Sequence, residues 1–438
     1  MCQESGFPGR MREWRKMRKT DKIIRTLLMS LSLLSLMACG KDVQNTKADN
    51  MEPVTIRTVS MFGGTDPNAV VYERIREAFQ NQYPYIKVDD ESRVSDEEWK
   101  SAVTADFCAG NEPDVLHFFT DATANQLIAM DKFVSIEEIR EVYPEYAKDT
   151  YEWALNQVAN RDGVRRAVPT TGFWEGLYCN KDLFEKYGIP LPTDWDSFTH
   201  AIEAFESKGV VPVACSLTNV PHYWLEYFLL YSCGAEDYQK DFSAISQEWI
   251  DGLRQFHTLR GMSAFPHNTD TIDNDYARTL FINKKAAMIL EGNWFLPAVE
   301  DQENTVVIAF PGLENSPVHE NAVVGGMTSG FYITRRAWND PDKRDAAVKY
   351  VMAQTSREAV QKYWVNGGGI TTTATAVTDD MERTPLAESA RRYVESADEI
   401  VLSTDSRMEP DAYKTLISGI SEVSIGGDPR ALLQKILE

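Results

Sequence analysis

Residues 54–80 read VTIRTVSMFGGTDPNAVVYERIREAFQ, and this stretch decides the fold class. Val54 to Met61 is rich in β-branched residues and breaks at Phe62-Gly63-Gly64, a strand followed by a turn. Asp66-Pro67 then supplies a helix N-cap and a proline at the first helical position, where a missing N–H is harmless. Val71, Ile75, Ala78, Phe79 and Gln82 follow at helical spacing, and only the last is polar. Ile86-Lys87-Val88 reads as a second strand. Ser95-Asp96-Glu97-Glu98 is a capping box, opening a helix with Trp99, Val103 and Phe107 on one stripe. Pro113 to Phe118 is a third strand, and Ala122 to Met130 a helix. The order βαβαβα predicts an α/β fold, a sheet covered by helices on both faces.

The alternation repeats downstream. Gly176 to Asn180 reads as a strand, and Lys181 to Tyr187 as a helix ended by Gly188 and Pro190. Thr193 caps a helix with Phe198, Ile202 and Phe205 on its inner face. Asp340-Pro341 opens a helix through Gln354, Thr355-Ser356-Arg357-Glu358 caps another reaching Trp364, and Asp428-Pro429 opens the last. With 438 residues, 43% of them hydrophobic, the chain is long enough for two lobes with ordinary cores.

The charge distribution divides the chain. The first 38 residues hold eight Lys/Arg against three Asp/Glu, although the whole chain carries −21. The remainder is therefore at about −26, which argues against nucleic acid or an anionic membrane surface as its main partner. The basic stretch Arg12 to Arg25 precedes an uncharged run, Thr26 to Ala38. That run is too short for a bilayer but fits the apolar core of a secretory signal. It ends Leu36-Met37-Ala38-Cys39-Gly40, similar to the lipobox of bacterial lipoproteins. Residues 1–38 are thus expected to be a signal peptide, with Met17 as the expected native start. Cys39 is the expected lipidated terminus, and residues 40–53 a polar tether.

The cysteines and histidines carry little chemistry. Cys108, Cys179, Cys215 and Cys233 show no zinc spacing, and the simplest expectation is free buried thiols, with a Cys215–Cys233 bridge the alternative. The six histidines form neither HxH nor HExxH. Walker A, GxGxxG and GxSxG runs are absent. The acidic stretch 270–275 lacks the Gly and terminal Glu of a calcium loop. No metal, no cofactor, no catalytic residue and no enzymatic activity are expected.

Four further segments carry a resemblance. Residues 176–195, GLYCNKDLFEKYGIPLPTDW, and 281–294, FINKKAAMILEGNW, are two of them. Pro113-Asp114-Val115 is a third. Gly325-Gly326-Met327 with Phe331-Tyr332-Ile333-Thr334, then Tyr363-Trp364 and Gly367-Gly368-Gly369-Ile370, make the fourth. In this order they resemble the family 1 extracellular solute-binding proteins, the maltose-binding-protein-like receptors of ABC importers. Cys179 stands where that family usually has Tyr, and Asn283 replaces a frequent Gly.

The resemblance implies a two-lobed, periplasmic-binding-protein-like fold with hinge strands and a ligand cleft. Lobe one would be 54–167 plus 322–375, and lobe two 168–321 plus 376–438. Crossings would fall near Val168-Pro169, near 317–322 and near Thr375. It further implies a monomeric, lipid-anchored receptor on the extracytoplasmic face of the membrane, passing a carbohydrate to an ABC permease.

A sugar offers hydroxyls and flat C–H faces, so its receptor needs aromatic rings and directional polar groups. Nine of the ten tryptophans lie beyond residue 38. Trp294, whose family counterpart commonly stacks on sugar, is the first candidate. Trp224 and His222, Trp174 after the expected hinge, Phe62 at the end of the first strand and Asp121 at the end of the third follow. Gly326, Met327 and Trp364 complete the set. Trp99, Trp153, Trp195, Trp249 and Trp338 read as packing. The competing classes are a polyamine or other non-sugar receptor, marked by several cleft carboxylates around an aromatic box, a secreted glycoside hydrolase with two cleft carboxylates, and an adhesive lipoprotein without a cleft.

Overall fold

Alternating strand and helix signals resolve into two sheets. A computed structural model describes residues 52–64, 66–240, 242–313, 316–318, 321–373 and 384–438. The expected signal peptide, Cys39 and the crossing near Thr375 lie outside them. β1 (Val54–Ser60) runs parallel to both β2 (Ile86–Asp90) and β3 (Val115–Phe119). The two-residue β4 (Ala167–Val168) leads almost directly into β5 (Thr171–Asn180). Then come β6 (Val211–Ala214), β7 (Ala286–Gly292), β8 (Thr305–Ile308), β9 (Ala322–Gly326), β10 (Ser329–Ile333), β11 (Ile370–Thr371) and β12 (Glu399–Val401).

One sheet has the order β2-β1-β3-β10-β4. The other has β12-β9-β5-β7-β6, with β8 and β11 also pairing β5. Each sheet is the spine of one lobe. From Trp174 to Asn180 every residue of β5 is buried, and apart from Glu175 and the terminal Asn180 the run is apolar or glycine. Such a run is what a central strand needs when both faces are covered. The core of the second lobe gathers Trp224, Phe228, Phe256 and Phe310, whereas Trp99, Phe107, Phe118 and Tyr332 fill the first.

The chain changes sheets twice within a few residues. Val168-Pro169 falls at the first link, between β4 and β5. The second link is at 327–328 rather than 317–322, because β9 pairs with β5 and β12 before the chain enters β10. Glycines allow the hinge strands to touch. A Cβ on Gly172 would sit 2.6 Å from the Gly326 carbonyl oxygen, and one on Gly325 2.6 Å from that of Phe173.

Local details depart from the sequence reading in instructive ways. The N-caps are Asp96, Asp194 and Ser356, one residue later than Ser95, Thr193 and Thr355, because each accepts a hydrogen bond from the N–H three residues on. Ala122–Ala124 is a 3₁₀ turn before the short helix Asn125–Ala129. All four described cysteines are free. Cys179 and Cys215 are buried, but Cys108 is exposed at the end of its helix and Cys233 half-buried. Trp153 is 50% exposed and stacks on Tyr151, so it does not pack into a core.

Candidate functional site

The second lobe presents an aromatic wall. β7 ends at Gly292, and the 3₁₀ segment Asn293–Ala298 carries Trp294, whose indole folds back over Gly292. Its half-buried ring lies 6.0 Å from Phe173 and 5.9 Å from Tyr223. Trp294 Nε1 donates to Glu291 Oε2 at 2.9 Å, fixing the indole plane. Glu291 itself is fully buried and accepts from Asn274 Nδ2 at 2.6 Å and Arg278 Nε at 2.7 Å. This is a charge-assisted network in which one carboxylate orients both an aromatic ring and a guanidinium.

The first lobe answers with acids at strand ends. Asp66, in the turn after β1, has its carboxyl pushed up to about 6 by burial, opposed by the Asn68 N–H and by Arg278 of the other lobe. Asp121, just beyond β3, is also raised to about 6, first by burial and then by Asp405 across the lobe boundary. Further links hold the lobes together. Arg161 pairs with Glu409, and Asn293 Nδ2 donates to Gly367 O at 2.7 Å. Open α/β sheets bind ligands at the C-terminal ends of their strands, which is where Asp66 and Asp121 stand.

The nine sequence candidates divide. Asp121 stands at this boundary, and Trp294 is part of the second-lobe wall. His222 is half-buried at the start of the helix His222–Cys233, its ring 4.4 Å from Tyr223. Trp224, one residue on, is 2% exposed inside the aromatic core with Phe198, Phe228 and Phe265. One helical position is a rotation of about 100°, so Tyr223 rather than Trp224 accompanies Trp294. Trp174 is fully buried and stacks on Tyr178, while its Nε1 donates to Gly368 O at 2.8 Å. It is a hinge pillar. Phe62 is buried against His117 and Tyr363. Gly326 and Met327 serve the sheet crossing, with Met327 N–H donating to Gln157 Oε1. Trp364 is half-buried beside a separate cavity of about 550 Å³ with Leu296, Ile370, Leu386 and Ala390.

Three acids went unmarked in the sequence reading. Glu175 on β5, Glu226 on the helix His222–Cys233 and Glu291 on β7 are each at most 1% exposed. Burial, then Glu226, raises the Glu175 carboxyl well above the usual range. Burial, then Asp405, does the same for Glu226. The available signal was a lone acid inside an apolar run, as in HYWLEYFLLY and AAMILEG, because a carboxylate is buried at high cost unless it has a task.

Residues 64–377 match the model of the bacterial extracellular solute-binding proteins. The chain belongs to that family. Its members are solute receptors, and this chain has their two-lobed α/β fold. It is 22% identical over 422 residues to the multiple sugar-binding protein of Streptococcus mutans, covering 90% of this chain and 95% of the relative. Among solved structures, a chitin oligosaccharide binding protein superposes with a TM-score of 0.76 at 19% identity, over 88% of this chain and 97% of the other. A maltose-bound T. maritima protein superposes at 0.71 with 20% identity, over 88% and 98%. The neighbours share the architecture, and the fold is what the likeness shows.

Proposed function

We propose that this solute-binding protein is the lipid-anchored, extracytoplasmic receptor of an ABC importer, and that it takes a carbohydrate between its lobes and delivers it to the permease. The observation that carries the reading is the wall of Trp294, Tyr223 and Phe173 around the Glu291–Arg278 pair. It offers flat faces for C–H surfaces and buried, oriented groups for hydroxyls. Trp294, Tyr223, Glu291, Arg278, Asp66, Asp121 and His222 are the proposed contacts. Ligand touching both lobes stabilises the closed form by its differential contacts, and the permease reads that form. The sugar-binding names of the S. mutans relative and of the structural neighbours support the ligand class.

Thermal-shift screening against mono- and oligosaccharides tests this. A sugar at 100 times its Kd stabilises by about 2.7 kcal/mol. A shift with no carbohydrate but with a polyamine establishes the second reading, a receptor for a cationic solute, which the concentration of carboxylates favours. Anchoring at Cys39 is tested by whether C39S releases the protein from the membrane fraction.

A further inference from the structure

Of the three acids buried in the second lobe, one has both oxygens satisfied. Glu291 accepts from Asn274, Arg278 and Trp294. Glu175 and Glu226 differ. They lie within hydrogen-bonding reach of each other, yet the Oε2 of each is buried with no donor among the described residues. Two facing acceptors with nothing between them need a proton or an outside N–H.

The surroundings leave that need open. Glu226 Oε1 accepts from the Thr404 N–H at 2.9 Å, which satisfies the other oxygen only. The hydroxyls of Tyr227 and Tyr393 both donate to the Glu175 backbone carbonyl at 2.6 Å, not to its carboxylate. Arg407 acts on Glu226 from a distance, but its guanidinium lies over the Tyr238 ring, 4.2 Å from the centroid. Asp405, Glu291 and Tyr223 complete the ionisable groups around the pair. Glu175 stands two residues from Phe173 on β5 and Glu226 three from Tyr223 on its helix, so both acids share the faces that carry the rings around Trp294. Among the described residues no three His, Cys, Asp or Glu side chains are arranged to hold a metal ion. Two neighbouring acceptors suit an ammonium, which brings several N–H donors.

We propose that the carbohydrate bound in this cleft carries a protonated amine, and that Glu175 and Glu226 receive it. The proposal rests on the carbohydrate reading above and narrows it. In the empty site one proton is shared between the two carboxyls. The arriving ammonium replaces it and the proton passes to solvent, so charge balances without burying two unpaired carboxylates.

Calorimetric titration of the full chain with short β-1,4-linked glucosamine oligomers tests this. Their N-acetylated and cello-oligosaccharide counterparts share the linkage and lack the charge. Titrations run near neutral pH in two buffers of different ionisation enthalpy. The amino series is expected to bind about ten- to a hundredfold more tightly than either counterpart, releasing about one proton per ligand. E226Q and E175Q should each remove both the preference and the proton release. The wild-type buffer dependence decides the matter by itself if a variant fails to fold. Neutral sugars binding as well or better, with no proton released, overturn the proposal and leave the carbohydrate reading intact. Binding of spermidine with no sugar of any kind overturns the carbohydrate reading and this proposal with it.

Discussion

Replacing Trp294 separates a wall of the site from a pillar of the core. The indole is half-buried and touches both hydrophobic clusters of the second lobe. Trp294→Ala removes one N–H donor from Glu291, which keeps Asn274 and both Arg278 contacts. A hydrogen bond to a charged group is worth about 1.5–3 kcal/mol, and the lower end applies where other donors remain. The apolar surface lost adds about 1–2 kcal/mol for a ring only partly covered. Unliganded stability should therefore fall by roughly 2–3 kcal/mol, read by urea unfolding. Affinity should fall more steeply, by about thirtyfold or beyond, as expected for a central aromatic contact. Trp294→Phe keeps a flat face and drops the donor, so it should cost about 1–2 kcal/mol in stability and less than about tenfold in affinity. If the alanine variant loses more than about 4 kcal/mol yet binds sugar normally once folded, the ring is structural and the site lies elsewhere.

Closure should depend on pH with a defined sign. Asp66 and Asp121 are raised from 3.8 to about 6 in the structure, so the closed form binds more protons than an opened one in which both regain water. Unliganded closure is favoured below about pH 4 and lost as pH rises through about 6. Small-angle scattering should show the radius of gyration increasing across that window, and D121N should flatten the change. A radius that falls with rising pH contradicts the assignment. Trp224→Ala should destabilise by about 3–5 kcal/mol in urea unfolding, as a large core ring does, and a loss below about 1 kcal/mol would put that residue back in the cleft. Gly172→Ala forces a Cβ to 2.6 Å from the Gly326 carbonyl and should cost about 1–3 kcal/mol while shifting ligand affinity through the hinge. An unchanged protein would show that the crossing strands are free to separate.

The fold was legible because strands and helices of the first lobe announce themselves by period. β1, the helix Ala69–Gln82, β2, the helix Glu97–Cys108 and β3 all fall where residues 54–118 suggest. The β9 placement was not legible. Ala322-Val323-Val324-Gly325-Gly326 is equally apolar on both faces, and only its pairing with Trp174 and β12 assigns it to a sheet. The same reason explains which aromatic residues were misplaced. From Tyr223 to Tyr231 every residue of the helix is buried, and so is every residue of β5 from Trp174 onward. A helix that is apolar all round, or a strand covered on both faces, carries no periodicity that tells inside from cleft. Tryptophan is then a poor guide, because its large surface is welcome in either place.

A carboxylate in such an element is a better guide, because desolvating it is unfavourable everywhere except where charge or hydrogen bonding is wanted. Glu175, Glu226 and Glu291 are each the only acid in an otherwise apolar run, on three elements far apart in sequence. The fold brings all three around Tyr223, whose hydroxyl feels each of them. Core packing gives no reason for three separate elements to spend an acid on one point. One of the three is matched by Arg278 and serves to hold Trp294, while the other two each keep one oxygen without a donor among the described residues. That asymmetry distinguishes a scaffold carboxylate from a waiting one. It is the ground on which the ammonium is assigned to Glu175 and Glu226 rather than to Glu291.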